Sequence, residues 1–155
     1  MVRLAIRPAL EAEAEQVACI INAAFEIERE FRHGERTSAH QIRALIGRDE
    51  VLVAEEAERL VGAIQVRIDG TTGYFAMLAV DAGARRSGVG RALVEAAEER
   101  CRGAGSTVMT MSTGEDRAEL IPYYAKMGYR VTAIEASANP AFKRPIRVVH
   151  MAKRL

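Results

Sequence analysis

At 155 residues the chain has the length of one domain, enough to bury about two-thirds of its surface in a single core. Its 49% apolar and 28% charged residues are ordinary for a globular protein. A formal net charge of +1 gives no bulk attraction to nucleic acid or membrane, and no apolar run approaches the roughly 20 residues of a membrane-spanning helix. Val2 to Ile6 reads as a short strand. Glu11 to about Glu30 reads as one helix, acidic at its start, with Val17, Ile20, Ile21, Ala24 and Phe25 on one face. Ser38-x-x-Gln41 has the form of a capping box and starts a short helix that buries Ile42, Leu45 and Ile46. Val51 to Ala54 and Leu60 to Ile68 form a hairpin across a turn at Glu56 to Glu58, and Tyr74 to Val80 is a further strand. A helix from Val89 ends near Gly103 and Gly105. Ser106 to Ser112 is a strand. A helix from about Ala118 tolerates Pro122 early and stops at Gly128. Tyr129 to Ala136 and Ile146 to Ala152 close the chain as strands.

The order is βααβββαβαββ. With so few βαβ units it predicts an α/β fold with a mixed, largely antiparallel sheet and helices on both faces. Repeats, low-complexity tracts and linker-like stretches are lacking, so residues 1–155 read as one domain. Cys19 and Cys101 both sit in helical, apolar contexts and read as buried, reduced thiols; no metal is implied. The opening residues carry no secretory pattern, which makes the cytoplasm the expected location.

The chemistry concentrates in Arg85-Arg86-Ser87-Gly88-Val89-Gly90-Arg91, between a strand and a helix start. The first N–H groups of a helix lack internal partners, and the helix dipole makes that end partly positive. Glycines let the backbone approach phosphate oxygens closely. Arg85, Arg86 and Arg91 add charge around the turn, so the backbone from Arg86 through Ser87, Gly88, Val89 and Gly90 to Arg91 reads as a pyrophosphate seat. The dinucleotide pattern G-x-G-x-x-G lacks its third glycine here, and no P-loop run exists.

Arg85-x-x-Gly88-x-Gly90 resembles the acyl-CoA-binding motif [RQ]-x-x-G-x-[GA] of the GNAT superfamily of N-acetyltransferases. Tyr123-Tyr124-Ala125-Lys126-Met127-Gly128-Tyr129 resembles that family's second motif, an aromatic-Tyr-x-x-x-Gly-aromatic string, and falls after one intervening strand as it does there. The first strand, the hairpin with Leu60-Val61-Gly62 and the closing Val148 to Leu155 fit as well, so the resemblance spans nearly the whole chain.

That resemblance implies the GNAT fold, whose sheet splays between its fourth and fifth strands, and direct acetyl transfer from acetyl-CoA to an amine in a ternary complex. It implies that the pantetheine arm pairs like an extra strand with Met77, Leu78, Ala79 and Val80, and that a backbone N–H near Leu78 or Ala79 receives the oxyanion. Tyr124 occupies the place of the family's general acid; a phenol with a pKa of about 10 is protonated at neutral pH and can donate to a departing thiolate. Tyr123 is expected to pack. Arg117 stands where the family often has Asn, which leaves that cofactor contact open. The general base stays open among Glu28, Glu30, Glu115, Asp116, His33, His40 and water. The acceptor, a small-molecule or peptide amine, would lie between Phe25 to Thr37 and Ala136 to Pro145, where mixed charges do not reveal its sign. Dimerisation is common in the family, but no interface is readable. A non-catalytic acyl-CoA sensor and another phosphate-ligand protein are the alternatives.

Overall fold

The computed structural model describes residues 3–85 and 87–155. Val2 at the start of the expected first strand, and Arg86 of the glycine turn, lie outside the described residues. The strands are β1 (Leu4–Pro8), β2 (Val51–Glu56), β3 (Arg59–Asp69), β4 (Thr72–Val80), β5 (Val108–Gly114), β6 (Arg130–Ser137) and β7 (Ile146–Arg154). The α-helices are α1 (Ala14–Ala24), α2 (Ala39–Gly47), α3 (Val89–Gly103) and α4 (Leu120–Ala125). The order matches the pattern read from the sequence. The seven strands form one sheet in the order β1-β2-β3-β4-β5-β7-β6. Every pairing is antiparallel except β4 with β5.

Alternation along β2 explains the two layers. Leu52 and Ala54 join the core under α3, whereas Val51 and Val53 join the core under α1 and α2. Helix α3 lies very close to the sheet. A Cβ on Gly62 would stand 2.9 Å from Leu93 Cδ1 and 3.0 Å from the Ala79 carbonyl. The β2–β3 turn places both Ala57 and Glu58 at positive φ, the geometry that matches the twist of a two-residue hairpin.

Four expectations are corrected. The first helix does not run to Glu30: a 3-10 turn precedes it at Glu11–Glu13, and after Phe25 the chain tightens into a second 3-10 turn at Glu26–Glu30. That change of path turns Glu28 inward, where Arg117 and Arg32 hold its carboxylate. Cys19 is exposed, because the buried stripe of α1 is Ala14, Val17, Ala18 and Ile21, and Cys19 lies outside it; Cys101 is buried as expected. Helix α4 is six residues long, shorter than Ala118 to Gly128. At the capping box, Ser38 accepts from the Gln41 N–H at 3.1 Å, but the Gln41 side chain is engaged by the Thr37 hydroxyl instead of returning to the cap.

The feature that positions the site is in β4. Ala63 pairs with Ala79 and Gln65 with Ala76, so two β4 residues, Met77 and Leu78, oppose the single residue Ile64. Met77 sits at φ 53°, and the extra residue makes Ala76 and Met77 face the α1 side in succession while Leu78 and Val80 return to the α3 side. On its other edge β4 pairs with β5 only through Thr72, Gly73 and Tyr74. Beyond Tyr74 the strands part, and β5 continues against β7.

Candidate functional site

Where β4 and β5 part, three adjoining hollows follow the open edge of β4. The outer one, about 410 Å³, is bordered by Arg85, Gly88, Val89, Gly90 and Arg91 at the start of α3 and by Tyr123. The middle one, about 460 Å³, shares Val80, Arg85 and Tyr123 with the outer and Phe25, Leu78, Leu120 and Tyr124 with the inner. The inner one, about 340 Å³, lies between the Glu26–Glu30 turn, β4, β5 and the β6–β7 loop. Together they make one trough from the glycine turn to a small chamber.

At the outer end, Gly88 takes φ 84°, a conformation glycine adopts without strain, and no side chain caps the helix. Within α3 the first return hydrogen bond runs from the Ala92 N–H to the Gly88 carbonyl. The N–H groups of Val89, Gly90 and Arg91 therefore have no hydrogen-bond partner among the described residues. Tyr123 closes over this end: a Cβ on Gly90 would meet its Oη at 2.6 Å. The Ser87 hydroxyl donates to the Ala84 carbonyl and fixes the turn. Arg91 pairs with Glu95 at 3.1 Å on the exposed flank of α3.

The middle carries the β4 edge. Leu78 and Val80 border it, whereas the Ala79 side chain is buried toward α1, so Ala79 can serve the trough through its backbone alone. At the inner junction the Tyr124 ring is buried in an aromatic group, 5.7 Å from Phe75, 5.1 Å from Tyr123 and 6.2 Å from Tyr129 between centroids. Its hydroxyl has no hydrogen-bond partner among the described residues. Burial, aided by the neighbouring Tyr123, pushes the Tyr124 phenol well above its usual pKa, against a small opposing effect of Arg117.

The inner chamber is walled by Phe25, Phe31, Phe142, Met77 and Met111 and carries Glu28, Arg32 and Arg36. Glu28 is buried; its Oε2 accepts from Arg117 at 3.0 Å and its Oε1 from Arg32 at 3.3 Å. Arg117 also donates to Glu119 at 2.8 Å. The Arg32 guanidinium covers the Phe142 ring at 4.9 Å. Two backbone bonds close the roof: His33 donates to Ala141 and Lys143 to Phe31, each at 2.8 Å.

The other base candidates lie away from this chamber's lining. His33, His40 and Glu30 are exposed, Asp116 is held by Arg144, and Glu115 faces Arg147 at 3.1 Å. Glu28, one of the open base candidates, is buried and engaged by two arginines. Sequence reasoning missed that arrangement because Glu28 and Arg117 are 89 positions apart. Among the described residues no group of three or more His, Cys, Asp or Glu is placed to hold a metal, and no helix is long and apolar enough to cross a membrane.

A mixed sheet splayed at its fourth and fifth strands, with a glycine-opened helix at one end of the cleft, defines an acyltransferase-type α/β fold. The family model for the GNAT acetyltransferase domain matches residues 10–155, and the chain belongs to that family of acyltransferase enzymes. Among solved structures, a ribosomal-protein-alanine N-acetyltransferase from Brucella melitensis is 23% identical, with TM-score 0.80, covering 97% of this chain and 99% of its own. The yncA protein of Salmonella typhimurium, with its cofactor acetyl-CoA, is 22% identical at TM-score 0.79, covering 98% of this chain and 94% of its own. The N-acetylglutamate synthase of Neisseria gonorrhoeae, complexed with coenzyme A and N-acetyl-glutamate, is 18% identical at TM-score 0.75; the match covers 99% of this chain and 35% of that one. At these identities the likeness is one of fold. No curated protein matches the chain.

Proposed function

We propose that this chain transfers an acetyl group from acetyl-CoA to an amine in a ternary complex, with residues 1–155 acting as one acetyltransferase domain in the cytoplasm. The observation that carries the reading is the continuity of the trough from the free amides of α3, along the open edge of β4, to Tyr124 and the inner chamber. The pyrophosphate lies against the N–H groups of Val89, Gly90 and Arg91, at the positive end of the α3 dipole, with Ser87 and Gly88 shaping the turn and Arg85 and Arg91 adding charge. Arg86 belongs to the same sequence motif. The pantetheine arm pairs with the backbone of Leu78, Ala79 and Val80, which β5 leaves free.

The acceptor enters the chamber as a neutral amine. Its nitrogen attacks the thioester carbonyl carbon, a C–N bond forms, and a backbone N–H near Leu78 or Ala79 meets the oxyanion. The C–S bond then breaks. Tyr124 gives its proton to the leaving sulfur, and the proton lost by the nitrogen returns to the phenolate through solvent. Neither cysteine is suited to a covalent acyl step: burial raises the Cys101 thiol, and Cys19 does not border the trough. The acceptor is a small-molecule or peptide amine; neither nucleic acid nor membrane is a partner, and the exposed edge strand β6 is where we place a homodimer contact. Calorimetric titration with CoA, in competition with ATP and NAD, tests the seat. CoA-selective binding is expected, and a chain indifferent to CoA would end this reading.

A further inference from the structure

We infer that the acceptor is a small amine carrying a carboxylate on an apolar frame, and that Arg36 binds the carboxylate. This rests on the acetyl-transfer reading above and names the substrate class of the same site.

Charge in the inner chamber is uneven. One carboxylate, Glu28, faces two guanidiniums in the lining, Arg32 and Arg36, with Arg117 directly behind it. Both Glu28 oxygens are used, one by Arg32 and one by Arg117. Arg36 has no ion-pair or hydrogen-bond partner among the described residues, although it is half-buried beside the Phe25 ring, 5.5 Å from its centroid. Burial, and next the Arg32 charge, pull the Arg36 guanidinium below its ordinary pKa, but arginine stays protonated in proteins. The chamber thus keeps one cation whose five donors are uncommitted. A second donor is available on the same lining. Asn139 spends its Oδ1 on the Ala141 N–H at 2.9 Å, which leaves its side-chain amide N–H groups directed elsewhere.

A planar guanidinium is suited to a bidentate carboxylate. The rest of the wall is aromatic and aliphatic, with Phe25, Phe31, Phe142 and Ile146, and suits an apolar body. A volume of about 340 Å³ is at the small end of the roughly 300–1,000 Å³ typical of small-ligand sites, which favours a free amino acid over a folded surface. A polyamine would bring its second, unreacted ammonium against Arg36.

The test compares matched acceptors by thiol release from acetyl-CoA: phenylalanine and leucine, their primary amides, and the decarboxylated amines phenethylamine and isoamylamine. Wild type is expected to prefer the free acids. Arg36→Gln is expected to raise KM for the acids roughly 10- to 100-fold, the range of a charge-assisted hydrogen bond. It should leave KM for the amides and the affinity for acetyl-CoA unchanged, the latter reporting an intact fold. Arg36→Lys is expected to recover part of the loss. Equal use of acids and amides, no release with any acid from protein that binds acetyl-CoA, or an Arg36→Gln effect shared by acids and amides would each overturn the inference. Failure to bind acetyl-CoA would overturn the acetyl-transfer reading instead.

Discussion

Tyr124 combines two properties that rarely occur together: a ring buried among Phe75, Tyr123 and Tyr129, and a hydroxyl with no partner among the described residues. Tyr124 borders the trough, and a hydroxyl that makes no hydrogen bond to the protein and is not sealed from the hollow adds little to stability. Tyr124→Phe should therefore leave the urea midpoint and the acetyl-CoA affinity in place. It should lower kcat by about 10²- to 10⁴-fold if the hydroxyl is the acid. A large loss of both stability and cofactor affinity would make it a packing residue instead. The sign of its pH dependence follows from its pKa, which burial raises. A raised pKa keeps the phenol protonated to higher pH. The wild-type kcat profile should accordingly show no falling limb through about pH 10, where an ordinary tyrosine ionises. A fall centred there, abolished in Tyr124→Phe, would mean that the phenol is far better solvated than its packing indicates.

At the scale of elements, the cleft depends on how closely α3 sits on β3 and β4. Gly62 is the contact point: any Cβ there would lie within 3.1 Å of Leu93 Cδ1, Val89 Cγ1 and the Ala79 carbonyl. Since Ala79 is part of the open β4 edge, Gly62→Ala pushes on the site itself. Overpacking of this kind costs roughly 1–3 kcal/mol. The expected result is a lower urea midpoint together with weaker acetyl-CoA binding, whereas Gly47→Ala, in α2 with open space around its Cβ, should leave binding unchanged and hold or slightly raise the midpoint. The elements themselves were legible because their signals are local: the glycine turn before α3, the Ser38 cap, the alternation in β2. The break of α1 at Phe25 was not, because nothing in the helical pattern through Phe25 foretells that Glu28 is drawn inward by Arg117. The bulge at Met77 was equally hidden. Methionine at positive φ has no compositional mark, and the extra residue is defined only by the pairing with β3. Tyr124 was readable from its motif; Arg36 was one charge among several until its neighbours were found to be paired with each other and not with it.

At the scale of the molecule, the sheet has two parts joined by only three parallel pairs between β4 and β5, so other contacts must hold the C-terminal strands in place. One is Glu98 of α3, which is 4% exposed. Lys153 of β7 donates to both of its oxygens, at 3.0 and 3.1 Å, and Tyr129 donates to Oε2 at 2.7 Å. Burial and this carboxylate push the Tyr129 phenol well above its usual pKa, so it remains a donor. Removing the ammonium alone leaves a buried negative charge with one neutral donor. Lys153→Met should cost about 3 kcal/mol, the low end of the range for breaking a buried pair, because Lys153 itself is a quarter exposed. Glu98→Gln combined with Lys153→Met removes both charges and keeps an acceptor for Tyr129. The double variant should therefore recover most of the loss in urea denaturation, and the coupling should appear as strong non-additivity of the two single changes. Because the pair fastens α3, which carries the glycine turn, to the far part of the sheet, the Lys153→Met protein should also bind acetyl-CoA less tightly and the double variant should regain that affinity. A double variant no more stable than Lys153→Met alone would show that the ion pair, and not merely charge balance, holds the two parts together.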